Sequence, residues 1–263
     1  MSLVYDVGMH DGEDTAFYLH QGHSVVAIEA IAELVEVARS RFATEASEGR
    51  FVPVNVAIGP ERGMRPFWVC DSVTIWSSRD ERIASRGHRR HRRIDVFTCP
   101  FEEVLARYGT PTYLKVDIEG SDHLCLKGLS RPPDYVSVEC ECGGSEVPLT
   151  EDEYLYNLRL LREIGYRRFK LVHQESFVPI RADNLRDACD ACYRDRVKSE
   201  IEARAAWTFA PGASGPWGED VPGRWMEFEE ALDVYGESRR LHFSAPDAEL
   251  YSFWFDWHAK ARP

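Results

Sequence analysis

The chain has 263 residues, 44% of them hydrophobic, enough to fill the core of one embellished α/β domain or of a domain plus a small cap. Its 44 acidic and 32 basic residues give a net charge of −12, which argues against nucleic acid as the main partner because phosphate contacts need a basic surface. No apolar run reaches the roughly 20 residues of a membrane span, MSLVYDVG lacks the blocks of a signal peptide, and seven cysteines are an odd number for a disulfide framework, so a reduced, cytoplasmic, membrane-free setting is expected.

Leu3-Val-Tyr-Asp-Val7 is apolar and β-prone and predicts a first strand. Gly8-Met-His-Asp-Gly12 follows with two glycines for a tight turn, and Glu13, Asp14 and Thr15 suit the start of a helix that Gly22 ends. Ser24 to Ile28 predicts a second strand finishing at Glu29, after which Ile31, Leu34, Val35, Ala38 and Phe42 recur at helical spacing. This βαβα opening implies a parallel sheet. Glycines let a ligand approach the backbone closely, and a carboxylate at the tip of the second strand can accept hydrogen bonds from both hydroxyls of a ribose. Gly8, Gly12 and Glu29 therefore point to a nucleoside cofactor, although a strand-glycine-helix turn also occurs without any ligand. The dinucleotide fingerprint G-x-G-x-x-G is absent, which disfavours a pyrophosphate.

Arg50 to Val56 predicts a third strand at a sheet edge, because Pro53 cannot donate to a ladder. Asn55-Val-Ala-Ile-Gly59 closes it, with the Asn55 amide and the small Ala57 placed to hold an adenine or simply to make a turn. From Pro60 to Cys99 short β-like runs such as Pro66 to Cys70 and Ser72 to Trp76 suggest added strands or a long loop over the site. The basic run Arg86 to Arg93 reads as a solvated loop in preference to a grip on an anion, having no aromatics for base stacking. Pro100 to Tyr108 predicts a helix ended by Gly109. Tyr113-Leu-Lys-Val-Asp-Ile-Glu-Gly120 then predicts a buried strand with Asp117 and Glu119 towards its C-terminal end, where ligands bind in open α/β sheets; spaced i, i+2 in an extended strand, both acids would reach one pocket. Asp134 to Cys140 reads as the next parallel strand, with Glu139 and Glu141 at its end.

The segments Val4-Tyr-Asp-Val-Gly8, Val26-Ala-Ile-Glu29 and above all Leu114-Lys-Val-Asp-Ile-Glu-Gly120 resemble the FkbM family of methyltransferases over residues 4 to 140. The resemblance implies S-adenosylmethionine as cofactor and a Rossmann-like class I methyltransferase fold, a mainly parallel seven-stranded sheet with helices on both faces. It also implies O-methylation of a natural product, sugar or similar small molecule. On the matching positions it implies that Asp6, Gly8 and Gly12 surround the methionine part of the cofactor, that Glu29 holds its ribose, and that Asp117 and Glu119 lie near the reacting centre. His10 stands where the family pattern has asparagine. It is a third candidate base behind the two acids, since methyl transfer requires a group to take up the acceptor's proton.

Beyond the resemblance, Tyr154 to Ile164 predicts an amphipathic helix, Tyr166 to Val172 a strand, and Leu185 to Trp207 an exposed helix. Ala210 to Gly218 is a glycine- and proline-rich loop, and Trp207, Phe209, Trp217 and Trp225 either line an acceptor pocket or fasten an insertion to the body. Ala248 to Phe255 reads as the last strand before a charged tail, Lys260 to Pro263. The expected organisation is a core over residues 1–180, an insertion over residues 181–240 capping the active site, and a final strand within residues 241–263. Cys140, Cys142, Cys189 and Cys192 supply the thiols of a zinc site in a poorly matching spacing; Asp117, Glu119 and Glu139 would suit magnesium or calcium, which methyl transfer does not need. No metal site is assigned. A small-molecule acceptor is expected, and the composition is compatible with a homodimer. The competing readings are a nucleoside-cofactor-binding protein without methyl transfer and an NAD-dependent oxidoreductase, the latter weakened by the missing phosphate fingerprint.

Overall fold

The structure, a computed structural model, describes residues 1–140, 150–244 and 254–262. The fold is α/β, with a large, mostly parallel sheet and helices, and the chain divides into two units, residues 1–133 and 134–263. The first unit runs β1 (Leu3–Val7), α1 (Glu13–His20), β2 (Ser24–Glu29), α2 (Ala32–Arg41), α3 (Ala43–Ser47), β3 (Phe51–Asn55), β4 (Ala57–Ile58), β5 (Gly63–Cys70), α4 (Glu81–Ala84), β6 (His91–Cys99), α5 (Phe101–Tyr108), β7 (Tyr113–Val116) and α6 (Asp122–Lys127).

Its main sheet has the order β7-β1-β2-β3, all parallel. Val4, Tyr5 and Val7 are buried, as a strand covered on both faces requires. Pro53 lies in β3, the last strand of that order, where a missing N–H is tolerated as the sequence predicted. Val7 stands opposite both Ile28 and Val116, so β7, β1 and β2 finish at one level. The residues that follow them, Gly8 to Gly12, Glu29 and Asp117 to Gly120, gather at one edge of the sheet, the edge at which open α/β sheets bind ligands.

The irregular stretch from Pro60 to Cys99 contains the added strands. β5 and β6 form a long antiparallel pair from Gly63 opposite Thr98 to Cys70 opposite His91, and β4 joins β6 in parallel. Ile31, Ala57, Phe67, Val69 and Val96 form its apolar core.

One expectation fails. β7 ends at Val116, so Asp117 and Glu119 do not share one face of an extended strand. The Asp122 carboxylate accepts from the Ile118 N–H at 2.9 Å, and the chain turns through Glu119 (φ 49°) and Gly120 (φ 81°), yet a carboxylate oxygen of Asp117 and one of Glu119 still lie within 4.8 Å of each other, brought together by the turn and not by strand alternation.

The second unit runs β8 (Tyr135–Glu139), α7 (Glu151–Tyr154), α8 (Tyr156–Ile164), β9 (Arg168–His173), β10 (Pro179–Ile180), α9 (Ala191–Ala205), α10 (Phe228–Ser244) and β11 (Phe255–Lys260). The strand order is β10-β9-β11-β8, with β11 antiparallel to both neighbours. Among the described residues β10 is only two residues long. Of the strand expected over Ala248 to Phe255, residues 248–253 lie outside the described residues. The described strand runs from Phe255 to Lys260, with Trp257 and His258 fully buried, so it extends beyond the expected end at Phe255 and takes in the first residue of the expected tail.

Phe209, Trp217 and Trp225 each pack on residues of this unit. Phe209 packs edge-on against Phe177, with ring centroids 4.8 Å apart. Trp217 packs on Tyr135 at 5.4 Å, and Trp225 lies 4.2 Å from the buried Lys170 Nζ and donates its indole N–H to Glu219. Among the described residues no helix is long and apolar enough to cross a membrane.

Candidate active site

The glycine turn after β1 is shaped first by packing. Gly8 has φ 85°, and a Cβ there would stand 1.8 Å from the Asp117 carbonyl oxygen, so only glycine lets this turn lie against the backbone that follows β7. The N–H groups of Gly8 and Met9 both donate to the Ile28 carbonyl, at 2.9 and 3.1 Å. Beneath the turn lies a charged group that the sequence reading missed. Asp6 and Lys115 face each other across β1 and β7, both buried, with Lys115 Nζ 3.2 Å from Asp6 Oδ1 and 3.7 Å from Asp14 Oδ2. The same ammonium donates to the Gly8 carbonyl at 3.1 Å, and the Thr15 hydroxyl donates to Asp6 Oδ2 at 2.7 Å. Burial works against the Lys115 charge, but the carboxylates of Asp6, Asp117 and Asp14 outweigh it and raise the lysine pKa. Asp6 thus supports the turn from below with no exposed surface. The available signal was a lysine inside an otherwise apolar strand, which a buried partner must neutralise.

Glu29 occupies the position predicted for a ribose acceptor. Its carboxylate is buried, with Oε2 accepting from the His10 N–H at 2.9 Å and Oε1 from the Ile31 N–H at 2.8 Å. Burial pushes its pKa up, and the backbone donors only partly offset this. An ionised carboxylate has about four lone-pair sites, so the two N–H groups fix its orientation and leave capacity for a pair of hydroxyls. The Asn55 amide donates to the carbonyls of Glu29 and Ala30, each at 3.0 Å, and so ties the end of β3 to this turn. Ala57 is buried in the small-sheet core. His10 adopts φ 52°; its Nε2 lies 2.8 Å from the Thr74 hydroxyl and its Nδ1 3.5 Å from an Asp11 carboxylate oxygen. The hydrogen bond with Asp11 raises the His10 pKa and outweighs the effect of burial.

The turn after β7 is tied to the segment between β5 and β6. Ser78 donates to the Glu119 carbonyl at 2.8 Å, and Arg86 donates to Glu119 Oε1 at 3.0 Å while its guanidinium lies 4.2 Å from the Trp76 ring centroid. Glu119 is therefore ion-paired through its Oε1. The half-buried Asp117 gives its backbone N–H to the Val7 carbonyl at 3.0 Å, while its carboxylate accepts no hydrogen bond among the described residues. Arg90 and Arg92 of the basic run both pair with Asp71, and Arg93 with Asp95, in largely solvated positions. Among the described residues Arg86 is the member of that run that pairs with the acidic turn.

A family model for the methyltransferase FkbM domain matches residues 6–168, more than half of the chain. The chain belongs to the FkbM methyltransferase family. It is an S-adenosylmethionine-dependent methyltransferase, and the residues present fit a nucleoside cofactor without phosphates: a turn opened and closed by glycines, one oriented carboxylate at the tip of β2, and no pyrophosphate fingerprint. A search of the curated proteins finds no match. Among solved structures this FkbM methyltransferase is similar to residues 942–1257 of the StiE O-MT. The identity is 10%, with 98% of this chain and 67% of that chain covered at a TM-score of 0.42. It is also similar to a SAM-dependent methyltransferase from Thiobacillus denitrificans in complex with S-adenosyl-L-homocysteine (12% identity, 99% and 85% covered, TM-score 0.36). A third similarity is to Haemonchus contortus phosphoethanolamine N-methyltransferase 2 in complex with S-adenosyl-L-methionine (11%, 99% and 49%, TM-score 0.39). These likenesses are too distant to carry an argument about substrate.

Proposed function

We propose that this enzyme methylates an oxygen atom of a small-molecule acceptor in the cytoplasm, with the Asp117 carboxylate taking up the proton that the acceptor loses. The observation that carries the reading is the contrast between the two acids: Glu119 is held by Arg86, whereas the Asp117 carboxylate, at the end of β7, has no hydrogen-bond partner among the described residues. S-adenosylmethionine supplies an electrophilic methyl group on a sulfonium. The protein's part is to hold and align the reactants and to remove a proton. Glu29 would hold the ribose hydroxyls and Gly8 and Gly12 would line the methionine portion, with Asp6 steadying the turn through Lys115. Asn55 and Ala57 would border the adenine. His10, which shares a hydrogen bond with Thr74, is the second candidate base. The net charge of −12 supports an acceptor other than nucleic acid.

The test is to incubate the purified enzyme with methyl-labelled cofactor and a panel of hydroxylated and aminated metabolites. Transfer to hydroxyl groups, lost in Asp117→Asn, is expected. Transfer confined to amines, or undiminished in that variant, would overturn the reading.

A further inference from the structure

The arginines around the small sheet differ in what they are paired with. Arg65, Arg82, Arg86, Arg90, Arg92 and Arg93 each have a carboxylate oxygen between 2.7 and 3.5 Å away. Arg79 has no carboxylate partner among the described residues. It is half-buried, and its Nε is shielded from solvent without any acceptor. Burial and then the nearby Arg65 charge lower its pKa, and no acid offsets them. Taking a cation partly out of water without a counter-charge is costly, and the guanidinium fork matches the oxygens of a carboxylate or phosphate.

Its surroundings belong to the acidic turn. Ser78, the preceding residue, holds the Glu119 carbonyl. Ile83, four residues on, fills the space beside Gly120, where its Cδ1 would lie 2.3 Å from a Cβ. The Arg79 guanidinium carbon lies 3.5 Å from where a Cβ on Gly59 would stand, so it sits between the turn closing β4 and the turn closing β7. His123, at the start of α6, feels the same field: burial first, then Lys127 and Arg79, lower its pKa.

We propose that Arg79 is the recognition cation for a carboxylate or phosphate group carried by the acceptor, which makes the acceptor class a hydroxylated organic acid or phosphate ester. This rests on the reading of Asp117 as the proton acceptor in the same turn region. A chain with net charge −12 repels anions at long range, so an anionic acceptor requires a local cation that the fold has not already neutralised.

The test uses inorganic phosphate as probe, titrated into the complex with S-adenosylhomocysteine at constant ionic strength, with the His123 ring protons followed by NMR. Saturable binding with an upward move of the His123 pKa is expected in the wild type, and at least tenfold weaker binding in Arg79→Gln, partly restored in Arg79→Lys. A His123 titration indifferent to phosphate in the wild type would overturn the proposal without recourse to any variant. So would an Arg79→Gln protein that loses affinity for S-adenosylhomocysteine but not for 5′-methylthioadenosine, because the oxyanion served would then be the cofactor's own carboxylate. Phosphate binding that depends on Arg79, in a protein that transfers no label to any hydroxyl, would support the anion subsite while refuting the reading of Asp117.

Discussion

The two turns at the edge of the main sheet have similar backbones and opposite economies of polar groups. The turn after β1 and the turn after β7 both pass through left-handed residues, Gly8, His10 and Gly12 in one and Glu119 and Gly120 in the other. In the first, the groups engage one another: the Gly8 carbonyl takes Lys115, Asp6 takes Thr15 and Lys115, and the His10 N–H takes Glu29. In the second, Glu119 and the Ile118 N–H are engaged, but the Asp117 carboxylate accepts no hydrogen bond among the described residues. On the proposed reading, the carboxylate that accepts no hydrogen bond among the described residues is the one that takes up the proton, while its charge also helps to hold Lys115 protonated, and the first turn is a scaffold.

The largest expected effect tests the second turn. Asp117→Asn should lower turnover about 10²- to 10⁴-fold with cofactor affinity retained, measured by steady-state kinetics beside titration with S-adenosylhomocysteine. A parallel loss of cofactor binding would make this turn a scaffold too. In the first turn, Asp6→Asn should cost about 3–5 kcal/mol of stability in denaturant unfolding, because it strips the main counter-charge from a buried ammonium; a cost below about 1 kcal/mol would mean that Asp14 suffices. Glu29→Ala should weaken cofactor binding by about 2–4 kcal/mol, the value of two charge-assisted hydrogen bonds, and calorimetry showing unchanged affinity would remove Glu29 from the site. The mildest test is pH. The ionised carboxylate is the better acceptor and burial raises its pKa above the ordinary 4.5, so cofactor affinity should decline as pH falls, beginning above pH 4.5. A profile flat to pH 4.5 would show that the ribose does not depend on the charge of Glu29.

The periodic parts of the first unit were readable because each strand is a covered apolar run punctuated by glycine or an acid. Leu3 to Val7, Ser24 to Glu29 and the edge position of Pro53 all follow from such local signals. The route by which Asp117 and Glu119 come together did not follow, because the strand ends earlier than its hydrophobic pattern suggests, where Asp122 captures the Ile118 N–H through a contact four residues away. Lys115 was visible as a residue but not as a charge pair, since its partners come from β1 and α1. Residues 256–260 fell outside the expected strand for a related reason: Asp256, His258 and Lys260 look solvated in sequence, yet the pairing of β11 between β8 and β9 buries most of them. Tertiary partners decide such positions, and periodicity does not contain them.

The contact between Gly8 and the Asp117 carbonyl also ranks the chain's tolerance of inherited change. Gly22 shares the left-handed conformation but has open space where a side chain would grow, so asparagine there should pass almost unnoticed. At position 8 even alanine would press on a peptide group from the turn that holds Asp117, and no rotamer can relieve a clash made by the first side-chain carbon. A saturation library selected only for folded protein should therefore be populated at position 22 and empty at position 8. Natural variation at the two sites would carry different information: one records drift, the other the permanent joining of two segments more than 100 residues apart in the chain.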